Sequence, residues 1–379
     1  MGRRMKRMNI RACLFLVSIL TACAGNEAPG IISPSGGAEA PGISPGKAER
    51  PAGFSPAAGT LLPDDIGAEL ERIAEIERAG AYFPGLALAE SGIREKAGDY
   101  SGAAIAAFKE LSWAYGYGGA SKNQVEEGLR NALTLFVENS QVFGSPGDLA
   151  ATAFKGCIAF IREDWARAEE LLSGVLKPGE EPDSFLRWML CVCTLEQEAK
   201  VPKNEIQACR LAYGAIRARY QLFPEYWYRG ARAFSAQNIN GDENIAAAYA
   251  EQCVNISPQG PYAEDCRGIL ANYLGLTPNG KGLQSGDKGS SSGFKDVLSG
   301  VRTKAEIEQT IRASVSVNNP FLLEELFPLM ALPDNPYTFY AMGAMKALTA
   351  VPEYRNFFLE EALKHQGRLG ERLNYISRG

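Results

Sequence analysis

Apolar residues recur at helical spacing through most of the chain. In the segment that starts at Asp64, one stripe consists of Ile66, Leu70, Ile73 and Ile76. A spacing of three or four residues places side chains on one face of a helix. Asp64 and Asp65 precede the stripe, where N-cap residues are expected. No stretch of the body alternates apolar and polar residues as a half-buried strand does. The pattern therefore predicts an all-α fold.

The segment Ala153–Leu176 has the pattern of a helical hairpin. Two short helices are predicted on either side of Glu163-Asp164, with Gly156 on the first and Ala168 and Leu172 on the second. Small residues at a helix crossing allow the two backbones to approach closely. This order of small and large residues around an acidic-aromatic turn resembles the tetratricopeptide repeat.

Three further segments repeat this pattern more weakly, and they are Gly92–Leu111, Ala208–Trp227 and Asn244–Ala263. The resemblance implies a tetratricopeptide-like superhelical array of degenerate repeats over residues 63–276. The alternative is an irregular helical domain.

Composition changes after this region. Residues 277–293 are rich in glycine and serine, which predicts a flexible linker or loop. Helical patterns return over residues 294–379, where Asn319-Pro320 and Asn335-Pro336 each resemble a cap followed by a first-turn proline. We expect this helical C-terminal unit to pack on the array, and the alternative is a separate helical lobe.

The N-terminus has the parts of an export signal. A cationic start precedes an apolar core, Ala12–Leu20, which is much shorter than the roughly 20 residues of a membrane span. The sequence "LTAC", ending at Cys23, resembles the bacterial lipobox. The resemblance implies removal of residues 1–22 and attachment of lipid, including an acyl chain such as palmitate, to Cys23. The alternative is an ordinary signal peptide with a chance cysteine.

The residues after Cys23 favour a surface tether. Residues 23–62 are dominated by proline, glycine, alanine and serine, a composition that does not support a packed core. Ala24 follows the cysteine, and by resemblance to enteric bacteria this implies an outer-membrane anchor facing the periplasm. The net charge of the chain is −5 although its first 22 residues carry only cations among their charged residues. The acidic body argues against nucleic-acid binding.

Six cysteines remain after Cys13 and Cys23 are set aside. Cys253 and Cys266 are equidistant from the middle of a predicted turn, and Cys193 and Cys209 are equidistant from Val201. Residues placed symmetrically about a helical hairpin lie opposite each other, so each pair is a candidate disulfide. The alternative is that cysteine acts as a small core residue. We expect no metal site, because no histidine lies near these cysteines.

Catalytic patterns are sparse. His365 is the single histidine of the chain, and it lies in a helical pattern typical of a solvated residue. Glu163 and Asp164 could in principle serve two-carboxylate glycosidase chemistry, but their turn favours helix capping. We find neither a P-loop nor a dinucleotide motif. The sequence predicts no catalytic residues and no cofactor other than the lipid on Cys23.

One helix pattern carries residues that often dominate protein interfaces. Tyr228, Arg229 and Arg232 are compatible with one face, and tyrosine and arginine are frequent hot-spot residues. Core packing is the alternative explanation. We expect a non-catalytic envelope scaffold that binds a protein or peptide. The alternatives are an accessory lipoprotein that binds a small ligand in a pore and docks a transporter's solute-binding protein, and a cell-wall enzyme.

Overall fold

The computed structural model describes residues 63–83, 85–138, 140–197, 203–235, 242–276 and 297–378. The predicted signal peptide, Cys23, the tether and the 277–293 linker lie outside these residues. All regular elements in the described part of the chain are helices, which confirms the all-α prediction. The chain divides into two compact units, residues 1–226 and 227–379.

The first unit is a series of helices. Its helices are α1 Pro63–Arg78, α2 Leu86–Lys96, α3 Tyr100–Gly116, α4 Lys122–Glu138, α5 Ser140–Ile161, α6 Trp165–Ser173, α7 Phe185–Glu196, α8 Lys203–Ala215 and α9 Arg217–Tyr220. Helix α5 is interrupted near its start, where Gly144 has a φ of 57°. Helix α1 begins at Pro63, so Asp64 and Asp65 lie in its first turn and are not its N-cap.

The division between the units falls within α10, Pro224–Ser235. The remaining helices are α11 Asp242–Ile256, α12 Ala263–Tyr273, α13 Lys304–Ser316, a 3-10 helix Pro320–Leu326, α14 Phe327–Ala331, α15 Pro336–Leu348, α16 Pro352–Lys364 and α17 Gly367–Ser377. Helices α11 and α12 therefore belong to the same unit as the C-terminal helices.

The predicted hairpin over Ala153–Leu176 is formed by α5 and α6. Asp164 is the N-cap of α6, where its carboxylate accepts a hydrogen bond from the Arg167 amide at 3.4 Å. A Cβ on Gly156 would lie 2.7 Å from Cδ2 of Leu172. The glycine therefore allows the two helices to approach, as the spacing predicts. Ala168 and Leu172 are both buried.

The second predicted hairpin is formed by α2 and α3. Asp99 is the N-cap of α3, where its carboxylate accepts a hydrogen bond from the Gly102 amide at 2.8 Å. Ser91 on α2 donates a hydrogen bond to the carbonyl of Ala103 on α3 at 2.9 Å. Helical hairpins are therefore the local building element of this unit.

In the second unit, α13 packs against the helices that precede the 277–293 segment. Arg267 on α12 forms an ion pair with Glu306 at 2.6 Å, and Thr303 donates to Asn255 Oδ1 at 2.6 Å. The predicted caps are confirmed farther on. Asn319 accepts from the Phe321 amide, and Asn335 accepts from the amides of the two residues after Pro336.

Candidate functional site

The predicted surface of Tyr228, Arg229 and Arg232 lies on α10, within the second unit. Tyr228 donates to Asp265 at 3.1 Å and receives a hydrogen bond from Arg232 at 3.1 Å. Its ring stacks on Tyr262 with centroids 4.5 Å apart. The guanidinium carbons of Arg229 and Arg232 lie 5.1 Å and 5.6 Å from the centre of the Tyr228 ring. The structure therefore brings the three predicted residues together.

Burial changes the interpretation of this group. Tyr228 and Arg229 are 5% and 4% exposed, and Arg232 is half-buried. Burial raises the pKa of the Tyr228 phenol, and the two arginines act in the opposite direction. Arg232 is accessible to a partner, but Tyr228 and Arg229 are interior residues, and Tyr228 links α10 to α12 through Asp265. The core-packing alternative thus describes two of the three residues.

A groove lies between α16 and α17 in the second unit. It has a volume of about 470 Å³, and its apolar wall is formed by Leu359, Ala362 and Leu363 on α16. Leu363 is 89% exposed and Leu359 is 43% exposed. Since the two leucines are four residues apart, they lie on one face of the helix. This exposed pair, together with the groove, is the candidate site.

Two glycines shape the turn that closes one end of the groove. Gly367 has a φ of 65°, a left-handed conformation that L side chains rarely adopt. A Cβ on Gly370 would overlap the carbonyl oxygen of His365. These glycines allow α17 to begin directly beside the end of α16. Glu371 and Asn374 then form the polar wall of the groove.

His365 is the C-cap of α16 and lines the same groove. Its Nε2 lies 3.5 Å from Glu361, and its ring meets the Phe327 ring edge-on with centroids 5.5 Å apart. Glu361 also pairs with Lys364 at 2.5 Å. The sequence analysis did not identify this groove. Its available signal was the pair of leucines in "LEEALKHQG", four residues apart and followed by a glycine.

A cluster of ionised side chains lies in the core of the first unit. Lys109 Nζ lies 2.5 Å from Glu77 Oε1 and 2.7 Å from Glu90 Oε2, and Arg219 Nε lies 2.7 Å from Glu77 Oε2. All four side chains are buried. Each charge in this cluster faces an opposite one, and the arrangement joins α1, α2, α3 and α9. This geometry supports a structural role, and we call these four residues the buried ion cluster.

The structure has all six cysteines of the body as thiols. Cys253 and Cys266, whose spacing predicts a candidate disulfide, are neighbouring thiols: burial, and then Cys253, raise the pKa of Cys266. Cys209 has Cys191 as its neighbour, where the sequence predicts Cys193, since the Cys191 thiol donates a hydrogen bond to the Cys209 carbonyl at 3.2 Å. Helix α7 ends at Glu196 and α8 begins at Lys203, so the midpoint between these helix ends lies before Val201, and the symmetric partner shifts from Cys193 towards Cys191.

The remaining chemical candidates belong to the first unit. Asp164 serves as a helix cap, and Glu163 lies in the same turn with a φ of 64°. Among the residues whose positions are described, no group of three His, Cys, Asp or Glu side chains could hold a metal ion. In the same residues, no helix is long and apolar enough to cross a membrane.

Comparisons with known proteins give no family for this chain. No family model matches it, and neither a curated protein nor a solved structure is significantly similar to it. The residues of the groove and the sequence of the N-terminus are therefore the observations that bear on function.

Proposed function

We propose that this chain is a lipid-anchored, non-catalytic helical scaffold of the bacterial cell envelope that binds a protein or peptide partner. The observation that carries the binding proposal is the exposed pair Leu359 and Leu363 beside the groove of about 470 Å³. Exposed apolar side chains that line a concave surface are typical of interaction sites.

The groove suits an amphipathic helix of a partner. Two leucines four residues apart on α16 present a short apolar ridge, which complements apolar side chains at the same spacing on a second helix. The polar wall at Glu371 and Asn374 lies opposite this ridge. We therefore expect a partner helix with an apolar stripe and a hydrogen-bond donor, such as lysine or arginine, next to it.

The binding free energy expected from this groove can be derived from the burial of Leu363 by a partner. Fully burying an exposed leucine side chain is worth about 1.5–3 kcal/mol. Since about 1.4 kcal/mol corresponds to a tenfold change in affinity, Leu363→Ser should weaken partner binding about tenfold or more. The fold should tolerate the change, because the side chain is 89% exposed.

The test uses a photo-crosslinking amino acid at position 363 in cells that express the full chain. The matched control carries the same amino acid at Leu211, which is 68% exposed on α8 of the other unit. A partner peptide crosslinked at 363 but not at 211 is then synthesised and titrated against purified wild-type, Leu363→Ser and Leu211→Ser proteins. Equal affinity for all three proteins would refute the groove as the binding site.

The anchor is a separate part of the proposal and has its own test. It rests on the resemblance of "LTAC" to the lipobox, and two or more acyl chains anchor a protein durably where one does not. Metabolic labelling with a palmitate analogue should mark the wild-type chain in the outer-membrane fraction. Cys23→Ala should remove the label and release the protein, and a labelled Cys23→Ala protein would contradict the lipid assignment.

The superhelical arrangement of tetratricopeptide type is also part of this proposal. It is supported by the hairpins α2–α3 and α5–α6, whose turns carry Asp99 and Asp164 as caps. The transporter-accessory alternative needs a ligand-sized pore through the helices. The helices of the first unit meet instead through packed aromatic rings, such as Phe108 against Phe160, and through the buried ion cluster. No observation favours that alternative over peptide binding.

A further inference from the structure

Two thiols meet between α7 and α8 of the first unit. The Cys191 Sγ donates a hydrogen bond to the backbone carbonyl of Cys209 at 3.2 Å, so the two cysteines are in direct contact. Cys191 is 8% exposed, whereas Cys209 is half-buried. Cys209 is therefore accessible to a reagent, whereas Cys191 is buried next to it.

The surroundings of Cys209 favour its thiolate. The neighbouring Cys191 thiol lowers the pKa of the Cys209 thiol to about 7, against the effect of burial, and the Thr194 hydroxyl acts in the same direction. The carboxylates of Glu169 on α6 and Glu205 on α8 raise this pKa. The proximity of Cys209, together with burial, raises the pKa of Cys191. Since the thiolate is the nucleophile, Cys209 is the attacking member of the pair.

The other cysteines of the body are protected. Cys157, Cys193, Cys253 and Cys266 are each 0% exposed. Burial raises the pKa of Cys157 and of Cys266. Among the six body cysteines, Cys209 is thus the thiol that a disulfide reagent can reach in the folded protein, and a second thiol lies in contact with it. Low pKa, exposure and an adjacent resolving thiol together are the features of a redox-responsive cysteine.

We infer that Cys191 and Cys209 form a reversible redox pair that exchanges with an external disulfide and fastens α7 to α8 when oxidised. In the first step, the Cys209 thiolate attacks one sulphur of the external disulfide, forms a mixed disulfide and releases one thiolate. In the second step, Cys191 loses its proton, attacks the Cys209 sulphur and releases the second thiolate. Two electrons pass to the external disulfide, which leaves as two thiols.

The test uses the full chain in detergent with oxidised glutathione as the external disulfide. After alkylation and trypsin digestion, mass spectrometry should find the Cys209 peptide joined to the peptide that contains both Cys191 and Cys193. Cys191→Ala should abolish this product and leave glutathione on Cys209. Cys193→Ala is the matched control and should retain the bridge. Loss in Cys193→Ala with retention in Cys191→Ala would overturn the assignment.

A second measurement requires no substitution. In the wild-type protein, iodoacetamide should alkylate Cys209 at least tenfold faster than the other five body cysteines, with a half-maximal rate near pH 7. In Cys191→Ala this midpoint should move towards the ordinary value of about 8.5. Equal alkylation rates for all six thiols of the folded wild-type protein would refute the redox pair. This result would leave the proposed partner groove on α16 unaffected.

Discussion

Replacing Lys109 with methionine tests whether the buried ion cluster determines the stability of the first unit. The substitution keeps the length of the side chain and removes the cation that lies 2.5 Å from Glu77 and 2.7 Å from Glu90. Lys109 is 1% exposed, so water cannot replace its charge. Breaking a buried ion pair from one side typically costs about 3–5 kcal/mol. For a unit of this size, the melting temperature should fall by about 6 °C or more.

The matched control is Lys177→Met in the same unit. Lys177 pairs with Asp99 at 2.6 Å, but its side chain is 47% exposed. An exposed pair is worth about 1 kcal/mol or less, so this variant should remain close to the wild type. Urea unfolding followed by tryptophan fluorescence measures both variants, since three of the four tryptophans, Trp113, Trp165 and Trp188, lie in the first unit.

Equal unfolding midpoints for Lys109→Met and Lys177→Met would refute this reasoning, because they would show that the cluster is not dehydrated. A second variant separates charge imbalance from lost packing. Lys109→Met combined with Glu90→Gln removes one charge of each sign, so it should recover part of the stability lost in Lys109→Met alone. Glu90 also pairs with Arg94 at 2.9 Å, so a double variant that is less stable than Lys109→Met would mean that packing or the lost Arg94–Glu90 pair, and not the excess negative charge, causes the loss.

Three further predictions follow from single residues. Gly156→Ala should destabilise the α5–α6 hairpin by about 1–3 kcal/mol because its Cβ would meet Leu172, whereas Gly92→Ala on α2, with no atom near the new Cβ, should be neutral or stabilising in the same thermal melt. Asp164→Ala should cost about 0.5–2 kcal/mol in urea unfolding through loss of the α6 cap. Burial opposes ionisation of Glu90, but the charges of Lys109, Arg94 and Arg219 and the hydrogen bond from Lys109 together outweigh it and lower the pKa from 4.5 to about 2. The stability due to ionised Glu90 should therefore be complete above about pH 4.5 and disappear as the pH falls to about 2, and a flat acid titration of the unfolding midpoint would contradict this.

Local signals predicted the helices and the best hairpin. The all-α fold follows from spacing alone, and the turn at Asp164 follows from a cap residue with small and large residues at the right distances on either side. Helix α1 starts at Pro63, slightly before the caps predicted at Asp64 and Asp65, since an acidic residue can lie in the first turn as well as at the cap.

Contacts between distant segments were less accessible from the sequence. Glu77, Lys109 and Arg219 are far apart in the chain, and nothing in their immediate neighbours distinguishes them from solvated charges. The pairing of Cys209 with Cys191 depended on the centre of the α7–α8 connection, where a shift of one residue selects a different thiol. Such pairings are determined by the packing of whole helices, which a local pattern does not contain.

The groove on α16 also depends on helix packing that a local sequence pattern does not contain. A substitution in this groove can separate an effect on binding from an effect on folding. Tyr354, Phe357 and Phe358 are buried on this helix, while Leu359 and Leu363 are exposed, although all five are apolar and closely spaced. Which of them face water depends on where α17 packs. Since Leu363 contributes little buried area, Leu363→Ser should leave the unfolding midpoint unchanged within about 0.5 kcal/mol while it weakens partner binding. A variant that lost both stability and binding would instead place Leu363 in the core, and the argument for an exposed docking ridge would fail.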